Sequence, residues 1–90
     1  MQDYEVTETL EDAFFANGIQ PDLVVDMGLL VDGIEDVEIN INEPERIAGT
    51  CSIAGKEPKD GDDCTIHGTF EMKLVDNTVD AVTFGKFEIK

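Results

Sequence analysis

The chain of 90 residues has 21 acidic and six basic residues, giving a formal net charge of −15 at pH 7. This length corresponds to one domain, residues 1–90, with a hydrophobic core of modest size. The excess of acid and the lack of a basic stripe argue against direct binding to nucleic acid. The longest apolar-rich stretch, residues 23–31, is too short to span a membrane.

An N-terminal helix is predicted over residues 7–17. Thr7 is a suitable N-cap, acidic residues fill the first turns, and Gly18 follows the last turn, where glycine commonly ends a helix. Leu10 and Phe14 lie four residues apart, so the helix has an apolar stripe along one side.

Residues 22–31 fit two interpretations, because their apolar residues match both a helical stripe and strict alternation. The segment contains three valines, and Gly28 lies within it. Since β-branched residues prefer strands and glycine weakens a helix, we expect a strand here.

The rest of the chain has the two-residue period of β-strands. Apolar and polar residues alternate in four segments: residues 37–41, 47–53, 66–74 and 81–90. Turns are predicted at residues 43–45 and 75–80, and a hairpin loop at residues 55–63. In the last segment the alternation changes phase at Gly85, which predicts a β-bulge.

Four glycines fall near the middle of successive predicted strands: Gly28, Gly49, Gly68 and Gly85. Such glycines cost stability unless the sheet bends or another group approaches closely. The predicted fold class is therefore α+β. One N-terminal helix packs on a strongly curved antiparallel β-meander of four or five strands, or the meander closes into a small barrel.

The acidic stretch at residues 59–71 has part of the pattern of a calcium loop. Counting from Asp60, acidic residues stand at positions 1, 3 and 12 of the loop, the last being Glu71. Position 6 is Thr65 instead of the required glycine, and the residues after it have strand period. We therefore expect a solvated hairpin loop and no metal site.

Cys51, Cys64 and His67 do not form a recognisable metal or catalytic site. Cys64 and His67 are three residues apart on a predicted strand, so they point to opposite faces. A disulfide between the two cysteines fits only if the hairpin turns about residues 57 and 58, and free buried thiols are favoured. His67 is interpreted as a surface residue. We predict that the protein is not an enzyme and has no cofactor.

The acidic residues are concentrated in the first half of the chain. Residues 1–45 hold thirteen acids and no Lys or Arg, whereas residues 46–90 hold eight acids and six bases. We expect the N-terminal tail, the exposed side of the helix and a turn at residues 32–38 to form one negative surface that attracts a basic partner. The candidate contacts are Glu5, Glu8, Glu11, Asp12, Asp32, Glu35, Asp36 and Glu38.

The leading hypothesis is a DNA mimic. Carboxylates on neighbouring helical turns lie about 5–6 Å apart, comparable to the spacing of backbone phosphates. Such a protein would block the basic, nucleic-acid-binding surface of another protein, as phage anti-defence and immunity proteins do. We expect a monomer or small homo-oligomer in the cytoplasm, or in the host cytoplasm if the protein is viral, because the residues after Met1 do not resemble a signal peptide.

Two alternatives remain open. The strand at residues 81–90 would serve a viral or multi-subunit assembly component if it forms an exposed sheet edge. A salt-adapted domain would also be acidic, but it would spread its charge over the whole surface. Five lysines against one arginine also give salt adaptation no support.

Overall fold

The computed structural model describes residues 2–89, which form two N-terminal helices followed by a four-stranded antiparallel sheet. The elements are α1 Asp3–Glu11, which continues as a π-helical segment over Asp12–Ala16, α2 Asp22–Met27, β1 Leu30–Asn42, β2 Arg46–Lys56, β3 Asp63–Val75 and β4 Thr78–Ile89. The α+β class and the antiparallel meander are confirmed. The barrel is wrong, because the strand order β1-β2-β3-β4 leaves β1 and β4 as two open edges.

Helix α1 begins four residues before the predicted start. The backbone N–H of Gln2 donates a hydrogen bond of 3.2 Å to Oε1 of Glu5, which satisfies a donor at the helix entrance. Thr7, the predicted N-cap, lies inside the helix, where its hydroxyl donates to the Asp3 carbonyl at 3.2 Å. Leu10 and Phe14 are both buried, so the predicted apolar stripe is confirmed, and Val6 extends it by one turn toward the N-terminus.

The strand predicted over residues 22–31 is wrong, since most of this segment is helix α2 and β1 begins only at Leu30. Gly28 has φ 64° and ψ 34°, the left-handed conformation that ends many helices. The N–H of Leu29 donates to the Val24 carbonyl at 3.1 Å, which closes the last turn. Gly28 therefore terminates a helix and does not bend a strand.

The predicted alternations on β2 and β3 are confirmed by the pairing of their inward residues. The pairs are Ile47 with Met72, Gly49 with Phe70, Cys51 with Gly68, and Ile53 with Ile66. The apolar stripe of α1 packs on this inner face and forms one core with these strands. The outer face carries the other residues of each strand, including Thr50, Ser52, His67 and Thr69. No helix among residues 2–89 is long and apolar enough to cross a membrane.

Gly49 lies inside β2 at a point where the backbones of two strands come close. A Cβ at Gly49 would collide with the carbonyl oxygen of Glu38 on the neighbouring strand. The bulge predicted at Gly85 is also confirmed, because Phe84 pairs with Phe70 whereas Phe87 pairs with Gly68. Between these two pairs β4 advances by three residues and β3 by two. This extra residue in β4 returns Phe87 to the inner face.

Replacement of Gly49 by alanine tests this close approach. We expect Gly49→Ala to lower the free energy of unfolding by about 1–3 kcal/mol, because the added methyl group forces β1 and β2 apart. Gly33→Ala on β1 is the matched control, since a Cβ there meets no atom within 4 Å. Urea unfolding measures both variants. Equal losses of stability would show that the strands do not approach at Gly49.

Candidate functional site: acidic residues around strand β1

Four of the predicted contact residues lie on the N-terminal helical segment. Glu8 and Asp12 are exposed, whereas Glu5 and Glu11 are partly buried at the sides of the helix. Because the opposite side of α1 packs on the inner face of the sheet, the exposed carboxylates point away from that face. Among the strands, β1 is the one that α1 contacts most closely.

The other four lie on β1, and all of them are exposed: Asp32, Glu35, Asp36 and Glu38. The predicted turn at residues 32–38 is wrong, because these residues belong to the strand itself. The pairing of β1 with β2 shifts register at three places, so β1 has more residues than the part of β2 that it faces. Bulges accommodate the extra polar residues, and they also discourage pairing with a further strand at this edge.

The predicted contact residues do not all lie on one face of the sheet. Glu38 pairs with Thr50, an outer-face residue, and Asp36 adjoins the same outer face. The helical acids lie on the inner-face side. Asp36 and Glu38 therefore lie on the other side of the β1 edge from the helical acids, and they do not share one plane with them.

The acids of residues 2–45 form no ion pair with a base of the described residues. In the part of the chain that the structure describes, the one salt bridge joins Nε of Arg46 to Oε2 of Glu71 at 2.5 Å. Both residues belong to the second half, and both side chains are about half exposed, at 47% and 49%. The negative charge around β1 is thus offset by no ion pair within residues 2–89.

A groove on the outer face crosses β1, β2 and β3 and has a volume of about 610 Å³. Its lining consists of Asp36, Val37, Glu38, Thr50, Cys51, Ser52, His67, Gly68 and Thr69. The sequence alternation places the hydroxyl residues and His67 on one face, but it does not reveal the groove, because the groove depends on the register between strands. Sequence reasoning therefore missed Thr50, Ser52 and Thr69.

The two cysteines are both free. Cys51 pairs with Gly68 and Cys64 pairs with Gly55, so the cysteines occupy positions four residues apart along the sheet, about 13 Å at the usual rise of a strand. A disulfide requires Cα atoms within about 7 Å. The hairpin turn at residues 57 and 58 is wrong, because Lys56 pairs with Asp63 and the loop centres nearer residue 60.

The loop between β2 and β3 contains a small acidic cluster. Ligand oxygens of Glu57, Asp60 and Asp62 lie within 4.8 Å of one another, and the two aspartates are exposed. Glu71 does not join them, because it lies on the outer face of β3 beside Arg46. Strand geometry thus separates Glu71 from the loop, as the two-residue period predicted.

No family model matches the chain, and no curated protein or solved structure matches it significantly.

The thiols should differ in reactivity. Burial raises the pKa of the Cys51 thiol from 9.0 to about 12, because the thiolate would lose its hydration. At about pH 8 Cys51 therefore stays protonated and should react with iodoacetamide far more slowly than the partly buried Cys64. Mass spectrometry should find one alkylated cysteine in the native protein and two in urea. Rapid alkylation of Cys51 in the folded protein would contradict its burial.

Screening of the carboxylates should stabilise the fold. Raising NaCl from about 0.05 M to about 0.5 M shortens the range of electrostatic repulsion, so the free energy of unfolding should increase. The variant Glu35→Gln/Asp36→Asn removes two adjacent charges on β1 and should reduce this salt dependence. Asp76→Asn/Asp80→Asn, in the β3–β4 region, is the matched control and should reduce it less. The explanation fails if salt leaves stability unchanged.

Proposed function

We propose that the protein is a non-enzymatic acidic binding protein that covers a basic, nucleic-acid-binding surface of another protein. The observation that carries this proposal is the negative charge around β1: thirteen acids and no base occur in residues 1–45, and none of the described acids in this range forms an ion pair. Such a surface attracts a basic partner and orients it during the encounter.

The shape of the molecule supports the idea of a decoy for nucleic acid. The protein is elongated, with dimensions of 44 × 22 × 20 Å. Its length is a little more than one turn of double-stranded DNA, which is about 34–36 Å. Carboxylates on both sides of the β1 edge would meet a groove from two directions, as the phosphates of two strands do. A basic cleft that holds a duplex is therefore a suitable partner.

Binding of this kind requires no chemical step from the protein. The carboxylates act through their charge alone, and the partner would lose activity because its nucleic-acid site is covered.

An assembly function is the second candidate, and the position of β4 favours it. Within residues 2–89 this strand pairs only with β3, so its other side is an open edge. Ile89 near its end is 56% exposed. The pairing of β4 with β3 has two register shifts, and such irregularities make an edge strand less suitable for pairing with another strand, which argues against assembly. Light scattering separates the two functions, since a ring or filament supports assembly and a monomer or small dimer supports the inhibitor.

Charge reversal around β1 tests the proposed function. A panel of nucleases and defence complexes, each carrying fluorescent DNA, is titrated with the protein at low salt, and displacement is measured by anisotropy. We expect wild-type protein to displace DNA from at least one member. The variant Glu8→Lys/Asp12→Lys/Glu35→Lys/Asp36→Lys should be weaker by about tenfold or more, because like charges then face each other.

The control variant has the same change in net charge at a different place. Asp60→Lys/Asp62→Lys/Asp76→Lys/Asp80→Lys alters the two hairpin regions and should displace DNA nearly as well as the wild type. Equal losses in both variants would mean that overall charge acts without a defined surface. The proposal is wrong if the wild type displaces DNA from no member of the panel.

A further inference from the structure

The outer-face groove has the composition of a binding site for one basic side chain. Strand order places β2 in its middle, with Thr50 and Ser52 as a floor of small side chains. Asp36 and Glu38 of β1 bound it on one side, and His67 of β3 lies on the other. Neither helix covers this face, since the buried residues of α1 and α2 pack into the core on the inner face.

Ser52 lies in the floor of the groove and has an unused hydrogen-bonding group. Its residue surface is only 8% exposed, and it is the one buried polar residue among those that the structure describes. The Ser52 hydroxyl makes no hydrogen bond with residues 2–89. Every fully enclosed polar side-chain atom in that range has a partner, so the Ser52 hydroxyl is not fully enclosed. The hydroxyl is therefore shielded by its neighbours but still open to the groove, where it is available to a bound group.

The polar groups around Ser52 mainly accept hydrogen bonds. Two carboxylates stand at one side, and the hydroxyl oxygens of Thr50, Ser52 and Thr69 accept as well. A guanidinium group offers five N–H donors in one plane, carries a positive charge and has no acceptor. An ammonium group offers only three donors from a single atom. The number and type of acceptors thus match the guanidinium better.

We propose that this groove binds an arginine side chain of the basic partner, with Asp36 and Glu38 pairing to the guanidinium and Ser52 accepting one of its N–H groups. This inference rests on the proposed function, and it identifies the part of the surface that would make the specific contact with the partner. The helical acids supply long-range attraction, and the groove supplies a defined contact.

The test uses the full chain and the peptide acetyl-triarginine amide as the probe. Titration followed by ¹⁵N NMR should shift the amides of Thr50, Ser52, His67 and Thr69 more than those of α1. Ser52→Ala keeps the net charge and should weaken binding about three- to tenfold, as expected for the loss of one hydrogen bond to a charged group. Thr78→Ala, an exposed hydroxyl deletion on β4, is the matched control and should bind as the wild type does.

Removal of charge from the groove gives a second comparison. Glu38→Gln should weaken binding at least as much as Ser52→Ala does, whereas Asp76→Asn should have little effect. Thermal unfolding of each variant shows whether the fold is retained, and the largest amide shifts in the wild type locate the site independently of any variant. Acetyl-trilysine amide should bind more weakly than the arginine peptide.

Three results would overturn the arginine groove. They are equal affinity for the two peptides, amide shifts confined to α1, and binding that is insensitive to both Ser52→Ala and Glu38→Gln. If DNA displacement still depends on the β1 acids in those cases, the proposed function stands without the groove. If the protein displaces no DNA but triarginine shifts the groove amides, the groove stands as a guanidinium site and the decoy function fails.

Discussion

The packing of α1 on the inner face of the sheet is the constraint on which the rest of the structure depends. Val6, Leu10 and Phe14 join the core formed by the sheet, and this contact holds a strongly acidic helix against an acidic edge strand. Repulsion among these carboxylates opposes the packing, because residues 2–89 supply them with no ion-pair partner. The free energy gained by burying these apolar side chains must therefore exceed the cost of the repulsion among the carboxylates.

Much of the sheet could be predicted from the sequence because side-chain alternation is a local property of a strand. The inward sets of β2 and β3 and the bulge at Gly85 follow from the period alone. The end of α2 could not be predicted from the sequence, because a glycine such as Gly28 is compatible both with a helix end and with a weak strand. The hydrogen bond from Leu29 to Val24 shows that Gly28 ends a helix. The start of α1 was not predicted, because it depends on the hydrogen bond from the Gln2 backbone N–H to the Glu5 carboxylate, whereas Thr7 is the more usual N-cap residue.

The candidate site shows the same division between local and non-local information. The acidic half of the chain is visible in the sequence, but the separation of Asp36 and Glu38 from the helical acids depends on how β1 pairs with β2. Ser52 reads as an ordinary polar residue of a strand. Its near-complete burial, between Asp36 on β1 and His67 on β3, appears only when three strands are in register. Charge composition therefore leads to the prediction of a basic partner, whereas the position of the proposed arginine groove follows from the topology.

Carbodiimide cross-linking of the protein to its partner tests the central claim most directly, because this reagent joins carboxylates to lysines that are already in contact. The complex captured at low salt is cross-linked and digested, and mass spectrometry identifies the joined residues. Our account predicts cross-links from the acids that flank β1, above all Glu8, Glu35 and Glu38, and their loss when salt is raised before the reagent is added. Cross-links that arise mainly from Asp76 or Asp80 would contradict it.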